Sequence, residues 1–332
     1  MVSKKISEKT DNSEQIAVLG AGAWGTAVSQ LLADNGHEVL LWCYEPLVAQ
    51  TIQNSRINET YLSGVKLHER ITATTDLSQI ASCSWVFEAI PVAFLRAVVQ
   101  QAKNFVSPVA TWVILSKGIE HDTLMLPCAI VQDVMGKEVK VAVFAGPTFA
   151  KELAEKQFTA TALASNDDCV LQALYNLLAN RYFRPFGTND LIGAQVGGAI
   201  KNVLALAVGL AHGSGYKDNT VAYLLTRGLS EIGLLATHLG GKRETVYGLS
   251  GLGDMILTCT GSLSKNLKAG RLVAQGSSLD DLVTIFKTLP EGINTVQSVQ
   301  QLTERNQFQA PLCNAVYEII FHKKPVTFLF EV

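Results

Sequence analysis

The sequence predicts an α/β fold in two parts: a doubly wound, mostly parallel sheet, then an all-helical C-terminal domain. Three observations predict it. Short, β-branched, nearly continuous apolar runs alternate with amphipathic segments through the first half, as strands covered on both faces should. A glycine-rich turn joins the first of these runs to the first helical pattern. After Phe186-Gly187-Thr188 the strand pattern stops, and helical periodicity continues to the end of the chain.

Strands are expected at 16–19, 39–42, 85–90, 111–115 and 139–144. Helical patterns at 24–35, with Gly36 as a left-handed cap, and at 94–105, stopped before Pro108, lie between them. Such alternation implies parallel strands joined by crossover helices. Asn189 or Asp190 can cap a long helix through 191–211, and further helical patterns cover 219–238, 263–275, 279–287, 295–305 and 311–321. The domain boundary is placed at 188–190, giving domains at 15–188 and 189–332. Residues 1–14 are polar and lysine-rich. They are expected to be a disordered lead-in, without the apolar core of a secretory signal.

A chain of 332 residues, 48% of them hydrophobic, has material for two cores. A net charge of −2 gives no basic footprint for nucleic acid. The six cysteines, at 43, 83, 128, 169, 259 and 313, form no C-x-x-C pair and no zinc spacing. Reduced, mostly buried thiols and no metal are expected, in keeping with a cytoplasmic protein. The apolar stretch 191–211 contains Gln195, Lys201 and Asn202. A lysine near the bilayer centre costs roughly 2.5–3.5 kcal/mol even on the lenient scale. The stretch therefore reads as a helix buried among helices.

Gly20-Ala21-Gly22-Ala23-Trp24-Gly25 fits G-x-G-x-x-G, directly after an expected strand and opening an expected helix. Gly20 permits the tight turn, Gly22 lets backbone approach a pyrophosphate, and Gly25 lets helix and strand pack closely. The free N–H groups and positive end of the helix would bind the phosphates. Glu45 lies twenty residues beyond Gly25, past the second strand, where this Rossmann-type arrangement places a carboxylate for the adenosine ribose. The residues thus point to NAD or NADP in the first domain.

Lys117, in Ser116-Lys117-Gly118, follows an expected sheet strand, at the end where open α/β sheets bind ligands; a solvated strand-end lysine is the plainer reading. Lys201 sits in an apolar helix beside Asn202. Such a lysine either snorkels to water or is held for a purpose, and the small residues at 197–199 favour the second. Gly248-Leu249-Ser250-Gly251-Leu252-Gly253-Asp254, followed by Thr258, suggests either backbone packed against a ligand or another segment, or an ordinary glycine-rich loop with Asp254 as a helix cap. Ser264-Lys265-Asn266, at an expected helix start, suits either a phosphate or an ordinary cap.

In this order, across 15–330, these signals resemble the bacterial-type NAD(P)-dependent sn-glycerol-3-phosphate dehydrogenases. The matching segments are GAGAWG at 20–25, SKG at 116–118, GPTFAKE at 146–152, GGAIKNVLA at 197–205, GLSGLGD at 248–254, LTCTGSLSKN at 257–266 and PEG at 290–292. The resemblance implies reversible reduction of dihydroxyacetone phosphate by NADH or NADPH to sn-glycerol 3-phosphate, a phospholipid precursor. It implies Lys201 as general acid/base, with Lys117, Asn202, Asp254 and Thr258 around the reacting carbon. Gly146, Thr148, Ser264, Lys265 and Asn266 fall on substrate-contacting positions. Trp24, Ala150 and Glu291 fall on cofactor-contacting positions, and Lys117 and Lys265 are counted with the cofactor as well as with the substrate. A homodimer is the family expectation.

An isolated lysine titrates near ~10.4; burial and the like charge of Lys117 would lower Lys201, and Asp254 would oppose this and orient the amine. The sequence departs from the family at Ala23 and Thr148, each commonly Ser, and at Lys265, usually Arg, where the bidentate fork is lost. Tyr44-Glu45 stands where bacterial members often carry a basic residue, which leans the coenzyme toward NAD. Two other readings stay open: a related two-domain dehydrogenase for another hydroxy acid or phosphorylated polyol, and a non-catalytic NAD(H)-sensing protein.

Overall fold

The computed structural model describes residues 15–306 and 308–331; the lead-in expected at 1–14 lies outside them. The strands are β1 (Gln15–Leu19), β2 (Glu38–Trp42), the hairpin β3 (Ile57–Asn58) and β4 (Leu62–Lys66), β5 (Ile71–Thr74), β6 (Trp85–Glu88), β7 (Thr111–Ile114), β8 (Val141–Ala145), β9 (Thr159–Ala164) and β10 (Phe183–Thr188). Eight form one sheet in the order β10-β9-β8-β7-β6-β1-β2-β5. Every pair in it is parallel except β8–β9. The chain winds outward from β1 through β2 to β5, then returns to β6 on the other side. The crevice for a ligand therefore opens where β1 and β6 end side by side, at the reversal of strand order.

The five strands expected from apolar runs all form, with three trimmed ends; the run at 111–115 stops at Ile114. The run at 85–90 stops at Glu88, because Pro91 becomes the N-cap of the helix Val92–Ala102. The run at 139–144 becomes Val141–Ala145. Five strands were not expected, and their composition explains why. β9 reads Thr-Ala-Thr-Ala-Leu-Ala, with little apolar mass. β10 carries Pro185 and Gly187, which read as breakers but are tolerated on a sheet edge. β3 has only two residues, and β4 (Leu-Ser-Gly-Val-Lys) and β5 (Ile-Thr-Ala-Thr) carry too few apolar residues for a continuous run.

Beyond β10, the Asp190 side chain accepts from Gly193 N at 2.9 Å and caps the helix Leu191–Gly213. This helix is buried from Gly193 to Ala211. It packs against the helices Asp218–His238, Asp254–Thr260, Lys265–Ala274 and Glu291–Asn306. It is long and apolar enough to cross a membrane, yet 89% of its most apolar window is buried in the protein. A helix apolar all round can bury every face only in a core or a bilayer, and here neighbouring helices supply the core.

Candidate active site

The glycine turn has the shape of a phosphate cradle. Gly20 takes φ +107°, and a Cβ on Gly25 would meet the Gly20 carbonyl oxygen at 1.9 Å. A Cβ on Gly22 would meet nothing within 4 Å, so the turn leaves an open cradle there. Gly22 is the N-cap of the helix Ala23–Asp34, and no side chain caps it. The first N–H groups of that helix remain for an anion. Asn58 Nδ2 braces the turn, donating to the Ala21 carbonyl and to Thr26 Oγ1 at 2.8 Å each. These residues fit the pyrophosphate of a dinucleotide.

Glu45 stands just past β2, as N-cap of the helix Pro46–Ser55. Its Oε1 accepts a 2.5 Å hydrogen bond from Tyr61 OH. This contact, with burial, pushes the phenol up to about 12. Lys287 Nζ, from the helical domain, lies 5.9 Å from the centre of the Tyr61 ring. Arg56 is committed elsewhere: its guanidinium donates to the carbonyls of Ile71 and His68.

The two lysines meet on one carboxylate. Lys201 is 7% exposed, and its Nζ lies 2.6 Å from Asp254 Oδ1 and 2.7 Å from Thr258 Oγ1. Lys117 Nζ lies 2.5 Å from Asp254 Oδ2 and donates to the Gly146 carbonyl at 3.2 Å. Small residues make the meeting possible. The Lys117 stem runs over Gly198, where a Cβ would sit 3.4 Å from its Cγ and Cδ. A Cβ on Gly197 would meet Ser250 O at 2.7 Å, so the π-helical turn Leu249–Gly253 can deliver Asp254 against the Lys201 helix. Burial lowers Lys201 to about 8, with Asp254 opposing and Lys117 assisting. A buried ammonium near neutral pKa, aligned by a carboxylate and a hydroxyl, can give and take a proton.

A cleft of about 310 Å³ opens beside this array, lined by Trp24, Ala89–Pro91, Leu115–Lys117, Thr148, Asn202, Lys265, Asn266, Pro290 and Glu291. Asn266 Nδ2 donates to Asn202 Oδ1 at 3.0 Å, and Gly292 N donates to Asn266 Oδ1 at 2.9 Å. That chain leaves the Asn202 amide N–H groups available as donors. Ser264 Oγ accepts from Leu267 N and caps the helix Lys265–Ala274, with Lys265 exposed at its first position. Thr148 Oγ1 donates to the Gly146 carbonyl. The packed surroundings of Glu291 push its carboxyl up to about 7.

The expected residues therefore converge, with two exceptions. Ala150 begins the short helix Ala150–Ala154 and packs against the sheet core, outside the cleft lining. Glu45 lies at the β2 end, bound to Tyr61. Sequence reasoning missed Asn58, Tyr61 and Glu88. The first two sit in polar hairpin sequence and carried no signal. Glu88 did carry one: a lone acid closing the apolar run Trp85-Val86-Phe87. Among the described residues, no group of three or more His, Cys, Asp or Glu side chains could hold a metal ion.

Comparison with known proteins identifies the family. Residues 15–170 match the NAD-dependent glycerol-3-phosphate dehydrogenase N-terminus, and residues 190–331 match the corresponding C-terminus. A glycerol-3-phosphate dehydrogenase (NAD(P)+) from Geobacter sp. (strain M21) is 38% identical over 316 residues, 94% of each chain. One from Janthinobacterium sp. (strain Marseille) is 39% identical over 92% of this chain and 93% of its own. The crystal structure of glycerol-3-phosphate dehydrogenase from Coxiella burnetii superposes with a TM-score of 0.92 at 31% identity, covering 96% of this chain and 98% of that one. A ketopantoate reductase from Ralstonia eutropha, at 16% identity and a TM-score of 0.60, shares the fold alone. With both halves matched and more than a third of positions identical over nearly the whole length, the chain belongs to the NAD-dependent glycerol-3-phosphate dehydrogenases.

Proposed function

We propose that this protein reversibly reduces dihydroxyacetone phosphate to sn-glycerol 3-phosphate with NAD(P)H, feeding glycerophospholipid synthesis. The observation that carries the reading is the Lys201–Asp254–Lys117 array, buried beside a cleft that ends in Lys265 and Asn266. Residues 15–188 bind the coenzyme on the glycine turn, with Trp24 at the cleft and Ala150 nearby, and Glu291 joins them from the helical domain. Residues 189–332 supply the proton donor and the phosphate site.

The nicotinamide coenzyme, when bound, supplies the hydride. The protein's residues manage charge. As the carbonyl oxygen gains charge, the Lys201 ammonium delivers the proton, and in reverse the amine takes it back. Asp254 and Thr258 fix the direction of that amine. Lys117 and the Asn202 amide stabilise the developing oxyanion. Lys265, Asn266 and the capped helix start at Ser264 hold the phosphate, while Gly146 and Thr148 close the cleft opposite. Lys265 also reaches the coenzyme side of the same cleft.

Glu45 reads the adenosine ribose and favours NAD(H), with Tyr61 holding its carboxylate. The protein works in the cytoplasm, and a homodimer is the expected assembly. An enzyme for another hydroxy acid or polyol, or a non-catalytic sensor, is not favoured: both family halves are present. Following absorbance of NADH and NADPH with dihydroxyacetone phosphate, unphosphorylated dihydroxyacetone and 2-oxo acids tests the reading. Oxidation of coenzyme by a 2-oxo acid, with none by dihydroxyacetone phosphate, would replace it.

A further inference from the structure

Glu88 ends β6 at the strand-order reversal, one residue before the cleft-lining Ala89. It is completely buried, between β1 and β7 in the middle of the sheet. Its Oε1 accepts from Ser116 Oγ at 2.6 Å and from Ser116 N at 3.3 Å, and its Oε2 accepts from Ile90 N at 3.2 Å. Ser116 is the residue before Lys117. β7 ends at Ile114 and the last backbone tie to β6 is Leu115 N to the Glu88 carbonyl at 2.9 Å, so beyond Leu115 sheet pairing does not fix the direction of the turn that carries Lys117. Glu88 supplies the missing fastening, tying the turn to the neighbouring strand through both backbone and side chain of Ser116.

We propose that Glu88 is a positioning residue: its carboxyl group fixes the Ser116–Gly118 turn and so holds the Lys117 ammonium against Asp254. The proposal rests on the reading of Lys117, Asp254 and Lys201 as the reacting array. Placing a carboxyl in an apolar layer is costly without such a use, and a covered strand would be served by an aliphatic side chain. Burial pushes Glu88 up to about 8, opposed by its hydrogen bonds from Ser116 and Ile90. The neutral acid therefore accounts for much of the population near neutrality and can serve as the fastening without adding a competing anion beside Lys117. The other titratable group facing it is the Cys128 thiol, which burial holds far above its ordinary range. Lys201 is faced by Asp254, Lys117 and Cys259. Loosening Lys117 removes a like charge from opposite Lys201 and frees Asp254 to favour its ammonium. Both changes raise the Lys201 pKa.

The test compares Glu88→Ala, Glu88→Gln, Ser116→Ala and the double variant Glu88→Ala/Ser116→Ala in the full chain. It reads kcat and KM with dihydroxyacetone phosphate, NADH affinity by fluorescence, and Lys201 titration by NMR of lysine labelled with 13C at Cε, without coenzyme. Glu88→Ala is expected to lower kcat on the order of 10²-fold, the scale of a misplaced reacting group. NADH affinity should be nearly unchanged and the Lys201 titration raised. Glu88→Gln keeps an acceptor for Ser116 and should stay within about fivefold of wild type, the worth of one neutral hydrogen bond. The double variant should be no slower than Glu88→Ala, because both changes cut one tie. A folded Glu88→Ala with wild-type kcat and an unmoved Lys201 titration overturns the proposal, as does a Glu88→Gln as slow as the alanine variant. Should Glu88→Ala fail to fold, Ser116→Ala decides: an unmoved Lys201 titration overturns the proposal. A wild type inactive on dihydroxyacetone phosphate would sink the functional reading instead, while the coenzyme-free titration would still judge Glu88.

Discussion

Lys201 Nζ lies 2.6 Å from Asp254 Oδ1, although the two residues are 53 positions apart and neither reaches bulk water freely. The second oxygen of that carboxylate holds Lys117. Two ammonium groups thus share one carboxylate, leaving one positive charge in excess inside the protein. Lys201 is the more deeply buried of the two, and burial lowers its pKa to about 8.

Removing that amine should stop chemistry without undoing the nucleotide site. Lys201→Ala is expected to lower turnover roughly 10²–10⁴-fold, the scale of a lost general acid. NADH affinity, read by fluorescence, should hardly change, since the glycine turn lies in the other domain. A variant that keeps wild-type turnover would remove Lys201 from the reaction.

The same amine sets the pH dependence. Burial disfavours the charged form of Lys201 and lowers its pKa to about 8. Reduction needs the ammonium, so kcat/KM for dihydroxyacetone phosphate should be level below pH 8 and fall above it, by about tenfold per pH unit for a single ionisation. Oxidation of sn-glycerol 3-phosphate needs the amine and should rise toward the same pH, then level off. Profiles of both directions, measured at constant ionic strength, check the sign. A fall with rising pH in both directions would assign the titration to another group.

Much of this arrangement was legible in the sequence. The glycine turn, five of the sheet strands and the buried helix around Lys201 announce themselves through periodicity, because each buries a continuous apolar face. The strand β9 and the edge strand β10 did not, since Thr-Ala alternation and a proline carry no apolar period; their partners in the sheet decide them. Sequence order placed Lys117 at a strand end and Lys201 on a helix. The family resemblance grouped both with Asp254, and tertiary packing shows that they take its two separate oxygens. Glu88 and Tyr61 act through contacts 28 and 16 positions away, which no local pattern records.

The small residues near Lys201 are under steric constraint. In Gly197→Ala the added Cβ would meet Ser250 O at 2.7 Å and Gly251 Cα at 2.9 Å. Backbone must move, and overpacking of this kind costs about 1–3 kcal/mol, against a helix-propensity gain of about 0.5–1 kcal/mol. A lower urea midpoint is expected, together with lower kcat, as the turn carrying Asp254 is pushed back. An unchanged midpoint with unchanged kcat would show that the turn accommodates the methyl group.

The phosphate site should separate substrate from coenzyme. Lys265 lies exposed on the cleft, at the start of a helix capped by Ser264. Lys265→Ala should raise KM for dihydroxyacetone phosphate far more than KM for NADH. It should also erase most of the preference over unphosphorylated dihydroxyacetone, because charge-assisted bonds to phosphate are among the stronger polar contacts. Lys265→Arg, which supplies a bidentate fork for the phosphate, should lower that KM below wild type. An unchanged substrate KM in the alanine variant would move the phosphate elsewhere, with Lys117 the next cation on the cleft.

Coenzyme choice is expected to turn on the pair Glu45 and Tyr61. A carboxylate at the end of β2 accepts from the ribose 2′-OH and repels a 2′-phosphate. Here Tyr61 OH fixes that carboxylate at 2.5 Å, and Arg56 is held by the carbonyls of Ile71 and His68, so it is not free to bind a 2′-phosphate. The nearby cation is Lys287, stacked over the Tyr61 ring from the helical domain. NADH should therefore exceed NADPH in kcat/KM, and Glu45→Ser should narrow the ratio by removing a repulsive element. Tyr61→Phe keeps the ring beneath Lys287 but frees the carboxylate, so it should retain the NADH preference with a smaller margin. Lys287→Ala distinguishes a supporting role from a phosphate-binding one: if Lys287 holds a 2′-phosphate, its loss costs NADPH more than NADH. A wild type that prefers NADPH, or a Glu45→Ser variant with an unmoved ratio, would mean that Glu45 serves the fold of the hairpin through Tyr61 and does not read the ribose.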